Sequence, residues 1–390
     1  MLIHFHYSSK EASGEIRRIR NININLAAGL SDKIIECAFI SIKDFVLKRR
    51  ENFVLSNRVT RKFFFPTFPF SNSKLWAMRV NSVWTSFIIR VLVRLYNAKY
   101  VIGEYSAAWQ SARYLPKDVK FIVDVHGALR EEYEYDNNNV DYRIAEYYDY
   151  LESKSVSRST YVICQSREMK RHLLSKYPTL SSEKIYPYAC HADLSTFNFN
   201  SQQARKTREL LGLADEQILF VYSGGLHKWQ NVDKSLSYFD EFHKYYPSSR
   251  FLLLTGQLIQ ANELIDNSFA HLREAVFIKS APHSQVPDYL NASNVGFLIR
   301  DNVVMNAVAY PTKLAEYMAC GLPVISTNVS SHWLNDTQYI YNIENNDIVG
   351  LYEFLIDIKR YEVSGLAHKE LSLDTDNIEI ERLLKNERSE

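Results

Sequence analysis

The chain has 390 residues, enough for two or three domains with full hydrophobic cores. Lys and Arg number 46 against 45 Asp and Glu, a net charge of +1, so no global field directs the chain to nucleic acid. With 46% hydrophobic and 23% charged residues it is globular rather than disordered, and 12 glycines against 26 tyrosines and 21 phenylalanines exclude a collagen-like or low-complexity chain.

Apolar runs of strand length alternate with longer helical patterns from end to end, which predicts a parallel α/β architecture. In chain order the spacing predicts a strand over residues 2–7, a helix over 16–30, a helix over 83–96 and strands over 100–104 and 121–126. A helix over 143–155 and a strand over 161–165 follow, and the pattern dissolves into a loop over 186–197. It restarts with strands over 217–222, 251–255, 276–278, 295–299 and 323–326. Two α/β halves result: residues 1–200, then 201–365, with a C-terminal tail over 366–390. Asp374-Thr375-Asp376 opens that tail and reads as a helix cap running to about Lys385, not as a metal-binding D-x-D, so no metal is expected.

The four cysteines (Cys37, Cys164, Cys190 and Cys320) form no C-x-x-C pair, which argues against a zinc site and for a reducing compartment. The N-terminal stretch turns polar after seven residues, too early for a signal peptide, and residues 83–95 are interrupted by Arg90 and Arg94 and too short to span a bilayer. A cytoplasmic protein is expected. One segment departs from neutrality: residues 43–99 hold twelve basic residues against Asp44 and Glu51, interleaved with aromatic rings. Either an anionic membrane or acceptor face, carried by Arg58, Arg61, Lys62, Phe64 and Trp76, or a basic surface over an aromatic core fits that composition.

The densest chemical signal is Tyr310-Pro311-Thr312-Lys313-Leu314-Ala315-Glu316-Tyr317-Met318-Ala319-Cys320-Gly321-Leu322-Pro323-Val324-Ile325. It reads as loop, helix, glycine turn and buried strand, with Thr312 as N-cap. Lys313 in a first helical turn opposes the helix dipole unless an anion also sits there, and free N–H groups of a helix start suit a phosphate. Glu316 lies on the same face and has the chemistry to accept ribose hydroxyls. A surface Lys–Glu pair on an ordinary helix is the plain alternative.

This block resembles the donor-binding signature of GT-B glycosyltransferases, specifically family 4, whose members read S-P-T-K-x-x-E-Y-x-A-x-G-x-P-V-I. Other members carry two glutamates separated by seven residues; Glu316 fits the second, and Val308 stands at the first. The resemblance implies Arg300, after the strand over 295–299, as a diphosphate contact, and Gly224-Gly225 with Lys228 as the phosphate loop after the strand over 217–222. It implies His126, ending the D-x-H-G strand, as a contact to the donor sugar, and Gly14, after the first strand, as a glycine loop beside the phosphates. The same resemblance implies donor contacts from Tyr310, Pro311, Thr312, Lys313 and Glu316, with His126, Arg300 and Lys313 closest to the chemistry. Glu104, ending another strand, is a further candidate to orient an acceptor hydroxyl.

The fold it implies is two Rossmann-like domains with parallel sheets facing across a cleft. The activity it implies is retaining transfer from a nucleotide-diphosphate sugar, as co-substrate, to a growing, lipid-linked bacterial surface glycan, in the cytoplasm or on the inner membrane face; no further cofactor is expected. A sugar-nucleotide epimerase of the same fold and a non-catalytic nucleotide-sugar-binding partner are the alternatives.

Overall fold

A computed structural model describes residues 1–7, 26–31, 33–47, 60–68, 74–104, 115–188, 193–327, 334, 337–344, 347–371 and 381–387. Gly14, Arg58 and the Asp374–Asp376 cap lie outside the described residues. The chain forms two compact units: Met1–Cys190 with Val308–Tyr310 and Asp376–Glu390, and His191–Ala307 with Pro311–Thr375. The sequence places the division near residue 200; internal contacts place it at 190, because Asp193 and Phe197 already belong to the second unit. The chain's last residues return to the first unit, where Glu387 bonds the hydroxyls of Tyr100 and Tyr161 and the ammonium of Lys120.

The first unit holds a parallel sheet of seven strands: β1 (Leu2–Tyr7), β2 (Ile34–Ser41), β3 (Arg61–Thr67), β4 (Tyr100–Glu104), β5 (Lys120–Val125), β6 (Tyr161–Cys164) and β7 (Ile185–Pro187). Their order is β3-β2-β1-β4-β5-β6-β7. The principal helices are α1 (Leu75–Leu95), α2 (Leu129–Asp136), α3 (Tyr142–Arg158) and α4 (Arg167–Lys176). Near-continuous burial of β1, β2, β4, β5 and β6 is what a sheet covered on both faces requires. Sequence reading missed β2, β3 and β7. Glu36 interrupts the apolar run of β2, and β3 is an edge strand whose Phe63 and Phe65 are partly buried against the core.

The second unit holds a parallel sheet of six strands: β8 (Leu219–Ser223), β9 (Arg250–Leu254), β10 (Val276–Lys279), β11 (Val295–Leu298), β12 (Val324–Ser326) and β13 (Ile340–Asn342), in the order β10-β9-β8-β11-β12-β13. Its helices include α5 (Ser201–Leu210), α6 (Val232–Tyr245), α7 (Leu258–Ser268), α8 (Val286–Ala292), α9 (Thr312–Ala319), α10 (Ile348–Asp357) and α11 (Arg360–Glu370). Part of the aromatic excess lies here: Phe220 meets Phe239, Phe242 and Phe297 with ring centroids 4.9–5.6 Å apart.

Both sheets are doubly wound, and their strand order reverses between β1 and β4 in one unit and between β8 and β11 in the other. Ligands of such sheets bind outside the carboxyl ends of the strands flanking that reversal. The candidate residues after β8 and β11, and the end of β4, stand at these two points.

Candidate active site

In the second unit, β8 leads into Gly224-Gly225 and then a turn of 3₁₀ helix over Lys228–Gln230. Gly224 has φ +143°, a conformation that side chains other than glycine's rarely adopt. A Cβ there would stand 2.5 Å from Lys313 Cε and 2.7 Å from Nζ, so this glycine makes the room that Lys313 occupies. The Lys313 ammonium lies over the Tyr222 ring, 4.7 Å from its centroid, and donates to the Tyr222 hydroxyl at 3.1 Å and to Gln230 Oε1. Arg300, just past β11, donates to the Trp229 carbonyl at 2.9 Å. Both cations therefore brace the same turn. Burial, and then repulsion from Arg300, hold the Lys313 pKa well below the ordinary lysine value.

Helix α9 brings Lys313 to this turn. Its N-cap is Pro311 rather than Thr312, with no side chain capping the first N–H groups, because the Pro311 backbone is extended and Thr312 is already helical. Tyr317 fastens the helix to the sheet: its hydroxyl accepts the Ser223 N–H at 2.8 Å, and its ring lies where a Cβ on Gly296 of β11 would be, 2.4 Å away. Gly321, with φ +76°, ends the helix against the Arg360 backbone, and Arg360 donates to the Cys320 and Gly321 carbonyls. Glu316 is buried, with His283 Nε2 3.8 Å from its Oε1. Lys228 is exposed at the outer side of the turn. Gln257, after β9, accepts the Leu226 N–H at 2.7 Å and so holds the loop that follows Gly225.

In the first unit, one face of the sheet carries His4 and His6 of β1, Glu36 of β2, Glu104 of β4, Asp124 of β5 and, just beyond it, His126. Alternation along each strand and the pairing of His4 with Glu36 and of Glu104 with Asp124 put these groups together. His126 Nε2 lies 2.6 Å from Asp124 Oδ2 and 4.0 Å from Glu104 Oε2. His4 Nε2 pairs with Glu104, and His6 Nε2 lies 3.2 Å from Glu36. Burial, reinforced by His6, lowers the His4 pKa to about 3, so its imidazole is neutral. Among the described residues His4, His6 and Glu36 form a group able to hold a metal ion, with donor atoms within 4.8 Å of one another. Glu104 thus belongs to a buried carboxylate–imidazole cluster that also reaches His126. The period-two spacing of His4 and His6 was the available sequence signal for it.

The remaining candidates disperse. Tyr310 belongs to the first unit, whereas Pro311, Thr312 and Lys313 belong to the second. Arg61 and Lys62 are exposed on β3, Phe64 is half-buried there, and Trp76 is exposed on α1. Val308 is buried in the first unit's core, and its carbonyl accepts the Ser166 hydroxyl at 2.6 Å. Tyr317, Gln230, Gln257 and His283 escaped sequence reading, since their roles arise from partners distant along the chain.

Residues 203–332 match the family Glycosyl transferases group 1. That match lies within a GT-B fold. Over 196 residues it is 22% identical to TuaH of Bacillus subtilis (strain 168), assigned as a teichuronic acid biosynthesis glycosyltransferase; that stretch covers 50% of this chain and 47% of TuaH, about half of each. The GT-B fold extends over the whole chain. It superposes on sucrose-phosphate synthase from Thermosynechococcus elongatus with a TM-score of 0.76 and 14% identity, covering 100% of this chain and 99% of that one. It also superposes on Anabaena HepE, solved in complex with UDP, with a TM-score of 0.70 and 12% identity over 99% of each chain. The group 1 match contains β8, the Gly224-Gly225 turn, β11, Arg300 and α9, which are the parts already assembled by geometry.

Proposed function

We propose that this protein is a retaining glycosyltransferase of family 4 that moves a sugar from a nucleoside-diphosphate sugar to a lipid-linked surface glycan. The observation that carries the reading is the convergence of Lys313, Arg300 and the Gly224-Gly225 backbone on one turn at the β8/β11 reversal, beside a helix start without a side-chain cap. Two cations and free N–H groups at one point suit a diphosphate. HepE, solved with UDP, supports a nucleotide ligand for this fold, and TuaH's assignment to teichuronic acid biosynthesis supports a surface-glycan acceptor.

In this mechanism the bond between the sugar's anomeric carbon and the β-phosphate oxygen breaks, and negative charge grows on the departing diphosphate. Lys313, Arg300 and the α9 N-terminus stabilise that charge, preorganised before the reaction begins. Glu316 accepts hydrogen bonds from the ribose, and His126, held by Asp124, contacts the sugar. The acceptor hydroxyl attacks from the face the diphosphate leaves and gives its proton to the departing phosphate oxygen, so configuration is retained. Both cations come from the protein, so transfer proceeds in the presence of a chelator.

Calorimetric titration of UDP, GDP, ADP and CMP into the wild type and Glu316→Ala tests the donor site. One diphosphate should bind and the variant should lose it. Binding of none of them refutes the donor assignment, and an inverted linkage by product NMR refutes retention.

A further inference from the structure

Strand β1 lies between β2 and β4, where the strand order of the first sheet reverses. His4 and His6 stand two residues apart on it and so project from one face, beside Glu36 of β2, which pairs in register with His4. His4 and Glu36 are 0% exposed and His6 is 4% exposed. Burying an acid and two imidazoles costs a sheet core more than apolar side chains would. The two imidazole rings stand 5.4 Å apart between centroids, and one donor atom from each of the three residues falls within 4.8 Å of the others.

The hydrogen bonding of His4 selects its ligand atom. Its Nε2 pairs with Glu104, itself buried at the end of β4, so that nitrogen carries the proton and Nδ1 keeps its lone pair. Nδ1 is buried and has no hydrogen-bond partner among the described residues. An imidazole that gives one N–H to a carboxylate and keeps a buried lone pair on its other nitrogen is arranged as a metal ligand held by an outer acid. His6 Nε2 lies 3.2 Å from Glu36 Oε1, which brings the other two donors together. Glu104 Oε2 lies 4.0 Å from His126 Nε2, so the acid that holds His4 also reaches the proposed sugar contact.

The donor set chooses the ion. Two imidazoles and a carboxylate form a zinc set, whereas Mg²⁺ and Ca²⁺ take oxygen ligands. Ligand atoms of a tetrahedral zinc stand about 3.4 Å apart, so binding draws the widest pair inward by at most about 1.4 Å, which side-chain rotation supplies.

We infer that His4, His6 and Glu36 bind one Zn²⁺ in the first unit, with Glu104 fixing His4 from outside. The ion offsets the buried charge of Glu36 and ties β1 to β2 and, through Glu104, to β4. It stands apart from the proposed transfer, whose diphosphate is met by Lys313 and Arg300 of the second unit, and no step of that transfer runs through it. Its ligands are closed to solvent, so brief exposure to a chelator leaves the ion in place. The expectation of no metal weighed cysteine spacing and an Asp-x-Asp pattern; here the donors are histidines on a strand and an acid 30 residues away on the next.

The test uses the full chain, free of any polyhistidine tag, grown with added zinc and desalted. Mass spectrometry of the metal content should find one zinc per chain. After slow stripping by prolonged dialysis against a chelator, titrated Zn²⁺ should bind one to one and raise the melting temperature, and Mg²⁺ and Ca²⁺ should do neither. Glu36→Gln should lose the stoichiometric ion. Glu104→Gln keeps all three ligands and should bind Zn²⁺ about 10- to 100-fold more weakly. If Glu36→Gln fails to fold, Glu104→Gln and the wild-type stoichiometry decide. A wild type that holds no zinc as isolated and takes up none overturns the inference. So does either folded variant binding Zn²⁺ like the wild type, which would put the ion on surface histidines.

Discussion

Diphosphate binding should take up a proton at Lys313, and that uptake can be measured. In the free protein, burial and Arg300 both disfavour the ammonium, so Lys313 deprotonates at a lower pH than an ordinary lysine. A bound diphosphate supplies the opposite charge and restores the ammonium. Between the free and bound pKa values one proton enters per ligand, and apparent affinity should fall about tenfold per pH unit as pH rises. Below the free pKa, affinity should be flat. The stability of the ligand-free protein should carry the opposite slope, since the unfolded chain holds more protons than the folded one in the window up to the ordinary lysine pKa and stability therefore rises with pH there. Replacing Lys313 with Gln should remove the uptake and weaken diphosphate binding by roughly 10- to 150-fold, the worth of charge-assisted hydrogen bonds of about 1.5–3 kcal/mol. The assay is titration calorimetry in buffers of different ionisation enthalpy across a pH series. A wild-type affinity independent of pH, with no buffer-dependent heat, refutes the placement of Lys313 at the diphosphate.

Gly224→Ala should act through Lys313. The new methyl stands 2.5 Å from Lys313 Cε in a conformation costing about 1–3 kcal/mol, so the ammonium must leave its place over Tyr222. Combined with Lys313→Gln, it should add little further loss of diphosphate affinity; two fully additive losses in the double-mutant cycle contradict the shared site. Val308→Glu should destabilise the first unit by about 3–5 kcal/mol at neutral pH, because the side chain enters an apolar core. The carboxyl pKa would be raised there, so stability should recover as pH falls. A thermal melt unchanged from wild type across the pH range contradicts the burial of this position.

The P-T-K-x-x-E-Y block was legible in the sequence because its chemistry is contiguous: a helix start, a lysine one residue inside it and a glycine that must be glycine. The alternation of apolar runs likewise announced two parallel α/β units. The buried cluster around His126 was only half legible. Its members sit on four strands, and β2 went unread because Glu36 breaks the apolar run, so the cross-strand partner of His4 stayed hidden. The partners of Lys313 were equally out of reach, since Gln230 and Tyr222 stand 83 and 91 residues away along the chain.

Val308 shows how a departure from a motif can be structural. The motif it resembles has a glutamate there in other members, but in this chain the side chain fills the first unit's core, and the carbonyl accepts from Ser166 Oγ at 2.6 Å and from Gln165 Nε2 at 3.4 Å. An acid at this point would trade core packing for a buried charge. The position therefore anchors the returning segment Val308–Tyr310 to the first unit, three residues before the chain re-enters the second at Pro311 and starts α9. Pro311, whose ring disfavours helical backbone at the residue before it, opens the second unit as the N-cap of α9. In this protein the first motif position is a core residue without charge, and the proposed donor site draws its charge from Lys313, Arg300 and Glu316 alone.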